Sequence, residues 1–463
     1  MLTITFLSLL GLIVLFLGFS GKPGLNLSLT VVGLLAGLAI LFGLDQNLLV
    51  PDGMDTQLSF DNISMRFSGL MIFFTFGIVM LGKSYLHRED IQSAEFLAVL
   101  LFSLVGALML SAFTHMLTLF VGLETLGISL YILAGTDKKS PGSNESALKY
   151  LLMGAFATCL VLFGMAMLYG ATGLLDFAGI AALNSSQVDS DLFRIGIFFL
   201  LAGVLFKVAA APFHFWSPDV YEGAPNVVML YMSVVVKIAS FAALYRIFGL
   251  YFQGLSHFWW EVMYYAALAS LLAGNLLALV QKSLKRQLAF SSISHTGYLL
   301  FAVLVMAKSN QETGILFYLF GYGAALIAAF SVLMSWFPTG DNIWLSDLKG
   351  AAKSDPAGAI VLTIAFLSMA GIPMTAGFFG KLYMFVPAMQ DGLYHLLLVG
   401  ITSSLIGAAY YLRPVMNVWF SNSDSLAPEA GFSAWIGYFC AILLLMGGLF
   451  PDLLTGLLAA IPS

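Results

Sequence analysis

The sequence predicts an all-α integral membrane protein, and three observations carry that prediction. Of 463 residues, 60% are hydrophobic and 9% are charged, with a mean hydropathy of +0.95; soluble domains carry about 25% charged residues. Apolar runs able to cross roughly 30 Å of hydrocarbon, at about 20 residues each, recur about fourteen times. The segments between them are too short for a soluble domain, so residues 1–463 read as a single polytopic membrane domain.

In order, the runs fall near residues 3–19, 27–44, 64–82, 95–111, 113–134, 147–171, 193–214, 226–250, 258–281, 287–306, 312–336, 358–388, 393–420 and 433–460. The first lacks a positively charged start and a small-residue cleavage site, and so reads as a retained span. Cys159 and Cys440 both lie in apolar runs, which leaves no disulfide framework and no thiolate metal site. The net charge of -5 comes with no basic tract, which excludes nucleic acid as a partner.

Loop charges orient the bundle, because cytoplasmic loops carry the excess Lys and Arg. With the N-terminus outside, the inside loops hold Lys22, Lys83, Arg88, Lys138, Lys139, Lys282, Lys285, Arg286, Lys349, Lys353 and Arg413. The outside loops hold mainly Asp45, Asp52, Asp55, Asp61, Asp176, Asp189, Asp191 and Asp391, with Lys308 as the exception. This separation places both termini outside and makes the number of spans even. The inside segment Ser217 to Ala224 carries Asp219 and Glu222 without a base, which predicts that it packs against protein.

Few charges remain within spans: Glu124, Lys149, Lys207, Lys237 and Lys381, joined by His295. At 1.5 Å per residue, Glu124 and Lys207 fall roughly 15 and 20 Å from their outer ends and Lys237 roughly 15 Å from its inner end. All three lie near the midplane. Ionisable groups in hydrocarbon cost roughly 2.5 to 3.5 kcal/mol on insertion scales and persist where they face protein or water and have a role. Together they predict a hydrated polar line running along the membrane. A nearby carboxylate restores the proton affinity that burial takes from a lysine, so movement of Glu124 relative to Lys207 would switch proton occupancy. His214 and His295 are candidate relays, since neutral imidazole exchanges protons near neutral pH.

Bland readings compete at each position. Glu124 and Lys207 fit a static ion pair, and Lys149 fits a surface pair with Glu145 one turn earlier. His295, among Ser291, Ser292, Ser294 and Thr296, fits a satisfied polar residue between helices. His115 and His214 fit interfacial positions. The histidines supply no facing pair for haem, and no glycine fingerprint follows a strand, so the driving energy must come from elsewhere.

Proline placement adds a second line of argument. Pro212 follows Lys207, and Gly371-Ile372-Pro373 precedes Gly377, Gly380 and Lys381, so the seventh and twelfth spans should be broken. Broken spans at corresponding places point to inverted repeats. The repeats would be two five-helix units, 95–250 and 258–420, flanked by 1–82 and 433–463.

The run FKVAAAPFHFWSPDVYEGAP, with ESALKYLLMGAFATCLVLFGMAMLYGATG before it and SLKRQLAFSSISHTGYLL after it, closely resembles the subunit N family of antiporter-like subunits in bacterial NADH:quinone oxidoreductase, respiratory complex I. The likeness extends from about Phe60 to about Trp419. It implies fourteen helices, inverted five-helix repeats with broken helices 7 and 12, and proton translocation driven by electron transfer elsewhere. By motif, Glu124 resembles the fifth-helix glutamate, Lys207 the seventh-helix lysine that it modulates, Lys237 the connecting lysine and Lys381 the lysine towards the outer exit. His214 and His295 match positions of the hydrophilic axis, and Lys149 joins the candidate proton pathway. The resemblance implies that this chain holds no cofactor, with NADH, FMN, iron-sulfur clusters and quinone bound by other subunits. It further implies K and M membrane neighbours and a bacterial inner membrane with periplasmic termini. One departure is Asn226-Val227 after Pro225, where relatives commonly carry a second proline. A multisubunit sodium/proton antiporter, and photosynthetic or deazaflavin-linked relatives, share the same buried charges.

Overall fold

A computed structural model describes residues 1–20, 23–44, 46, 57–88, 93–183, 190–253, 257–309, 312–337, 343–421 and 433–459. Among them there is no β-strand, only three isolated bridges between neighbouring connections. The main helices in order are α1 (Leu2–Leu17), α2 (Pro23–Gly43), α3 (Asn62–Arg88), α4 (Ser93–Ala112), α5 (Met116–Ala134), α6 (Pro141–Thr172) and α7 (Asp191–Lys207). They continue through α8 (Trp216–Gly223), α9 (Asn226–Tyr251, part α and part π), α10 (His257–Leu279), α11 (Leu284–Ser309) and α12 (Thr313–Trp336). The chain ends with α13 (Pro356–Ala370), α14 (Ala376–Gln390), α15 (Tyr394–Phe420), α16 (Ser433–Leu449) and α17 (Pro451–Ala459). Ten described helices are long and apolar enough to cross a membrane.

Local chemistry sets the ends. The ring of His115 caps α5 by accepting the Leu117 N–H at 3.2 Å, so the fifth span begins at Met116 and not at 113. Ser140 caps α6 with Pro141 in the first turn, and Ser190 caps α7. Asp355 accepts the Gly358 N–H at 2.9 Å and opens α13, again with proline in its first turn. Helix α9 starts directly after Pro225, so the missing second proline leaves its start intact.

Three expected spans differ from continuous helices. The seventh stops at Lys207 and not near 214. The twelfth divides into α13 and α14 around Gly371–Thr375, as the glycines and proline predict. The stretch 433–460, expected as one span, bends by 104° between Leu449 and Pro451, where proline cannot continue the hydrogen-bond ladder.

The bundle has a buried centre and an apolar rim. Every residue in the most apolar stretch of α9, α11 and α12 is buried, against about a third in α2, α6 and α15. Leu148, Leu152, Phe156, Leu398 and Leu405 are exposed on that rim. Such apolar exposure belongs against lipid or another membrane subunit. Of the charges used for orientation, Lys22, Asp45, Asp52, Asp55 and Asp189 lie outside the described residues, as do the side chains of Arg88 and Lys308.

Candidate functional site

Ending a helix inside a membrane frees backbone groups that need new partners. Past Lys207 the chain turns through Ala209, whose φ is +55°, and through the cis Ala211–Pro212 bond. Three of the backbone groups there are met by side chains of neighbouring elements. The Trp216 indole donates to the Phe206 carbonyl at 3.1 Å, Thr296 Oγ1 donates to the Val208 carbonyl at 2.8 Å, and the Ala211 N–H donates to Ser270 Oγ at 2.8 Å. The break is therefore built into the packing of α7 against α10 and α11.

Lys207 ends α7, where the carbonyl end of the helix dipole favours a cation. Its Nζ stands 5.9 Å from the Tyr131 ring and 5.7 Å from the Tyr150 ring, within cation–π range. Among the described residues no hydrogen-bond acceptor meets that ammonium. Glu124, half-buried on α5, accepts a 2.6 Å hydrogen bond from Thr158 Oγ1, and no ion pair within 4.0 Å joins it to Lys207. A static Glu124–Lys207 pair is not what the structure contains.

Lys237 is held quite differently. Only 4% exposed, it lies on α9 just after a π-helical turn, Met232–Val236. Wide turns of this kind are rare and concentrate at functional sites. Nζ donates to the Ser292 carbonyl and Ser292 Oγ, both at 2.6 Å, and to Thr296 Oγ1 at 3.2 Å. Thr296 thus ties Lys237 to the seventh-span break, because the same hydroxyl donates to Val208.

The twelfth-span break repeats that device. Gly371 has φ +82°, and a Cβ there would come within 2.9 Å of Lys381 Nζ, so both conformation and space require glycine. Lys381, 6% exposed, folds back from α14 to donate to the Ala370 carbonyl at 2.8 Å, Ser404 Oγ at 2.9 Å and the Met369 carbonyl at 3.4 Å. Ser404 in turn donates to Ala370 at 3.2 Å.

His295 lies between these two lysines, buried on α11. Nδ1 pairs with the Tyr318 hydroxyl at 2.6 Å and Nε2 with the Tyr411 hydroxyl at 3.0 Å. The Tyr322 ring is 4.5 Å from the imidazole and 5.1 Å from Lys237 Nζ, and the Tyr298 ring is 5.0 Å from Lys381 Nζ. His214 does not share a helix face with Lys207, since the helix has ended. It is buried against Phe215 with Nδ1 lacking a protein partner.

Lys149 stands apart in a half-exposed cluster. It pairs with Glu145 at 2.7 Å and Asp219 at 2.8 Å, while Arg286 pairs with Asp219 at 2.9 Å and Glu222 at 2.8 Å. These groups line an open cleft at the N-terminal ends of α6 and α11. Here α6 and α11 supply the bases that the Ser217–Ala224 segment lacks. Burial pushes the Asp219 carboxyl up, but Lys149 and Arg286 more than reverse this and hold it below the usual carboxylate range.

Several partners were not legible from the sequence: Thr158, Ser404, Tyr318, Tyr322 and Tyr411. Arg246 was also missed, although its charge within a span was the available signal. It is 2% exposed, pairs with Asp61 at 2.8 Å and donates from Nε to the Phe113 carbonyl at 2.6 Å.

A family described as NADH:quinone oxidoreductase/Mrp antiporter, TM, matches residues 114–407, which include Glu124, Lys207, His214, Lys237, His295 and Lys381 and stop short of Tyr411. The chain belongs to this family. A NADH-quinone oxidoreductase subunit N from Trichlorobacter lovleyi is 36% identical over 425 residues, 90% of this chain and 86% of the relative. Another protein of that name, from Flavobacterium psychrophilum, is 34% identical over 98% of this chain and its own full length. Among solved structures, a chain of respiratory complex I from Thermus thermophilus superposes with a TM-score of 0.85 at 33% identity, covering 99% of both chains. A chain of the Mrp complex from Dietzia superposes at 0.82 with 19% identity, a likeness of fold alone. Within the family, this chain is of the subunit N kind.

Proposed function

We propose that the chain is the antiporter-like, proton-translocating membrane subunit N of an NADH:quinone oxidoreductase. The observation that carries this reading is Lys237, a lysine on one of the three most deeply buried helices of the bundle, bonded to a hydroxyl that also binds the seventh-span break. A lysine buried with only neutral partners has little to offer stability and much to offer proton exchange. In this reading Glu124 modulates Lys207, Lys237 and His295 carry protons along the bundle, and Lys381 leads to the outer exit. His214 adjoins the first break, and Lys149 with Asp219 marks the inner mouth.

The reading counts fourteen spans. To the ten long apolar helices it adds α1, α7 with its continuation, α13 with α14, and α16 with α17. Two inverted five-helix repeats, 95–250 and 258–420, find support in their opening helix pairs. Gly106 on α4 abuts the backbone of Gly122 and Leu126 on α5, and Gly274 on α10 abuts the backbone of Phe290 and Ser294 on α11. Close helix approach through small residues is a membrane packing device, and here it recurs at matching places. NADH, FMN, iron-sulfur clusters and quinone belong to other subunits, K and M are the membrane neighbours, and the termini face the periplasm across a bacterial inner membrane.

Lys237→Ala in the assembled complex tests the reading. The proton-to-electron ratio in sealed membrane vesicles should fall markedly with the complex intact, and a normal ratio would refute the role of Lys237. Co-purification of flavin and iron-sulfur subunits separates this reading from a sodium/proton antiporter, which lacks them.

A further inference from the structure

His295 is enclosed in a manner that decides how a proton can pass it. Both ring nitrogens are taken, by phenols from two other helices: Tyr318 on α12 and Tyr411 on α15. Neither nitrogen faces a lysine. The ring of Tyr322 stands between the imidazole and Lys237, and Lys381 sits over the ring of Tyr298. No proton can therefore move directly between His295 and either ammonium in this arrangement. The titratable and charged groups around the imidazole are Lys237, Tyr298, Tyr318, Tyr322, Lys381 and Tyr411.

From this we infer that Tyr318 and Tyr411 are obligatory relay groups, a tyrosine–histidine–tyrosine wire inserted between Lys237 and Lys381. The inference rests on the proposed proton pathway. A neutral imidazole has one N–H and one free nitrogen, so one phenol accepts from it and the other donates to it. A proton delivered to the donating phenol's oxygen lets that phenol pass its own proton to the free nitrogen. The imidazole releases the proton on its other nitrogen to the second phenol, which gives up its own hydroxyl proton onward. One proton enters and one leaves, no electron moves, and the imidazole ends as the opposite tautomer. Both hydroxyls then point the other way, so the wire must be reset before it conducts again in the same direction. Tyr318 packs on the helix that carries Lys381, since a Cβ on Gly380 would lie 3.0 Å from its ring.

The test uses the intact complex in sealed, inverted membrane vesicles, with Y318F, Y411F, the double variant and H295Q measured beside K237A. Each phenylalanine keeps the ring and removes only the hydroxyl. Glutamine at 295 supplies one donor and one acceptor to the same two phenols, filling a structural role without tautomer exchange. The proton-to-electron ratio should fall roughly tenfold or more in each single variant. Because the groups act in series, the double variant should lose no more than the worse single one. Normal pumping by Y318F, Y411F or H295Q, with K237A defective, overturns the relay and leaves the pathway standing. Normal pumping by K237A removes the pathway and the relay with it. Should a phenylalanine variant fail to assemble, H295Q decides the matter.

Discussion

The two helix breaks solve one problem in two ways, and the difference lies in whether a break's own groups hold the lysine beside it. At the second break, Lys381 donates three hydrogen bonds, two of them to carbonyls at the end of α13. At the first, Lys207 stands over the Tyr131 and Tyr150 rings with no hydrogen-bond acceptor among the described residues, and the break's own hydroxyl partner, Thr296, binds Lys237 instead. Lys381 is anchored by its break, whereas Lys207 is not. The first break serves the lysine one helix further on.

The sharpest way to break this comparison is to remove each ammonium. Lys207→Met and Lys381→Met should both abolish most pumping, measured as the proton-to-electron ratio, but their effects on stability should diverge. Desolvation of an ammonium is common to both and cancels. Only Lys381→Met removes hydrogen bonds, taking the donor from the Met369 carbonyl and leaving the Ala370 carbonyl to Ser404 alone, so its complex should be the less stable by about 1–3 kcal/mol in thermal melting. Equal melting would mean that the hydrogen bonds at the second break hold nothing.

Backbone substitutions sharpen the contrast at lower amplitude. Gly371→Ala imposes about 1–2 kcal/mol of left-handed strain, and its methyl group crowds Lys381, so assembly and pumping should both decline. Ala209→Gly removes the same kind of strain at the first break while loosening the unfolded chain, and its stability should stay within about 1 kcal/mol of the parent. Melting of the purified complex checks both.

The smallest expected effect lies at the cleft of Lys149, Asp219 and Arg286. The folded-state pKa of Asp219 is held below its unfolded value. Its contribution to stability is therefore present above the ordinary carboxylate range, near about pH 4, and lost as pH falls through the lowered value. Asp219→Asn should melt slightly below the parent at neutral pH, with the difference disappearing on acidification. Because these groups are partly open to solvent, the gap should also shrink in high salt.

Both breaks were legible in the sequence because their causes are local: Pro212 and the Gly371-Ile372-Pro373 run act on their own turns. The bend before Pro451 had the same signal and was read as continuous, since the apolar run does not pause there. The buried lysines and Glu124 were legible from the cost of charge in hydrocarbon. What surrounds them was not. Thr296 lies 59 residues from Lys237 and Tyr411 lies 116 from His295, and no periodicity in one helix reports such pairings. The π turns beside Lys237 are equally silent, because a run of Met, Ser and Val reads as an ordinary helix.

The buried apolar stretches of the ninth, eleventh and twelfth helices carry one more consequence. Changes in acyl-chain length act on whatever touches lipid, and tilting or stretching to match them falls to peripheral segments such as α2, α6 and α15. Lys237 and His295 occupy an inner pillar that acyl chains do not reach. Thinner or thicker bilayers should therefore disturb how this chain sits beside its neighbours well before they disturb the spacing of its proton-bearing groups.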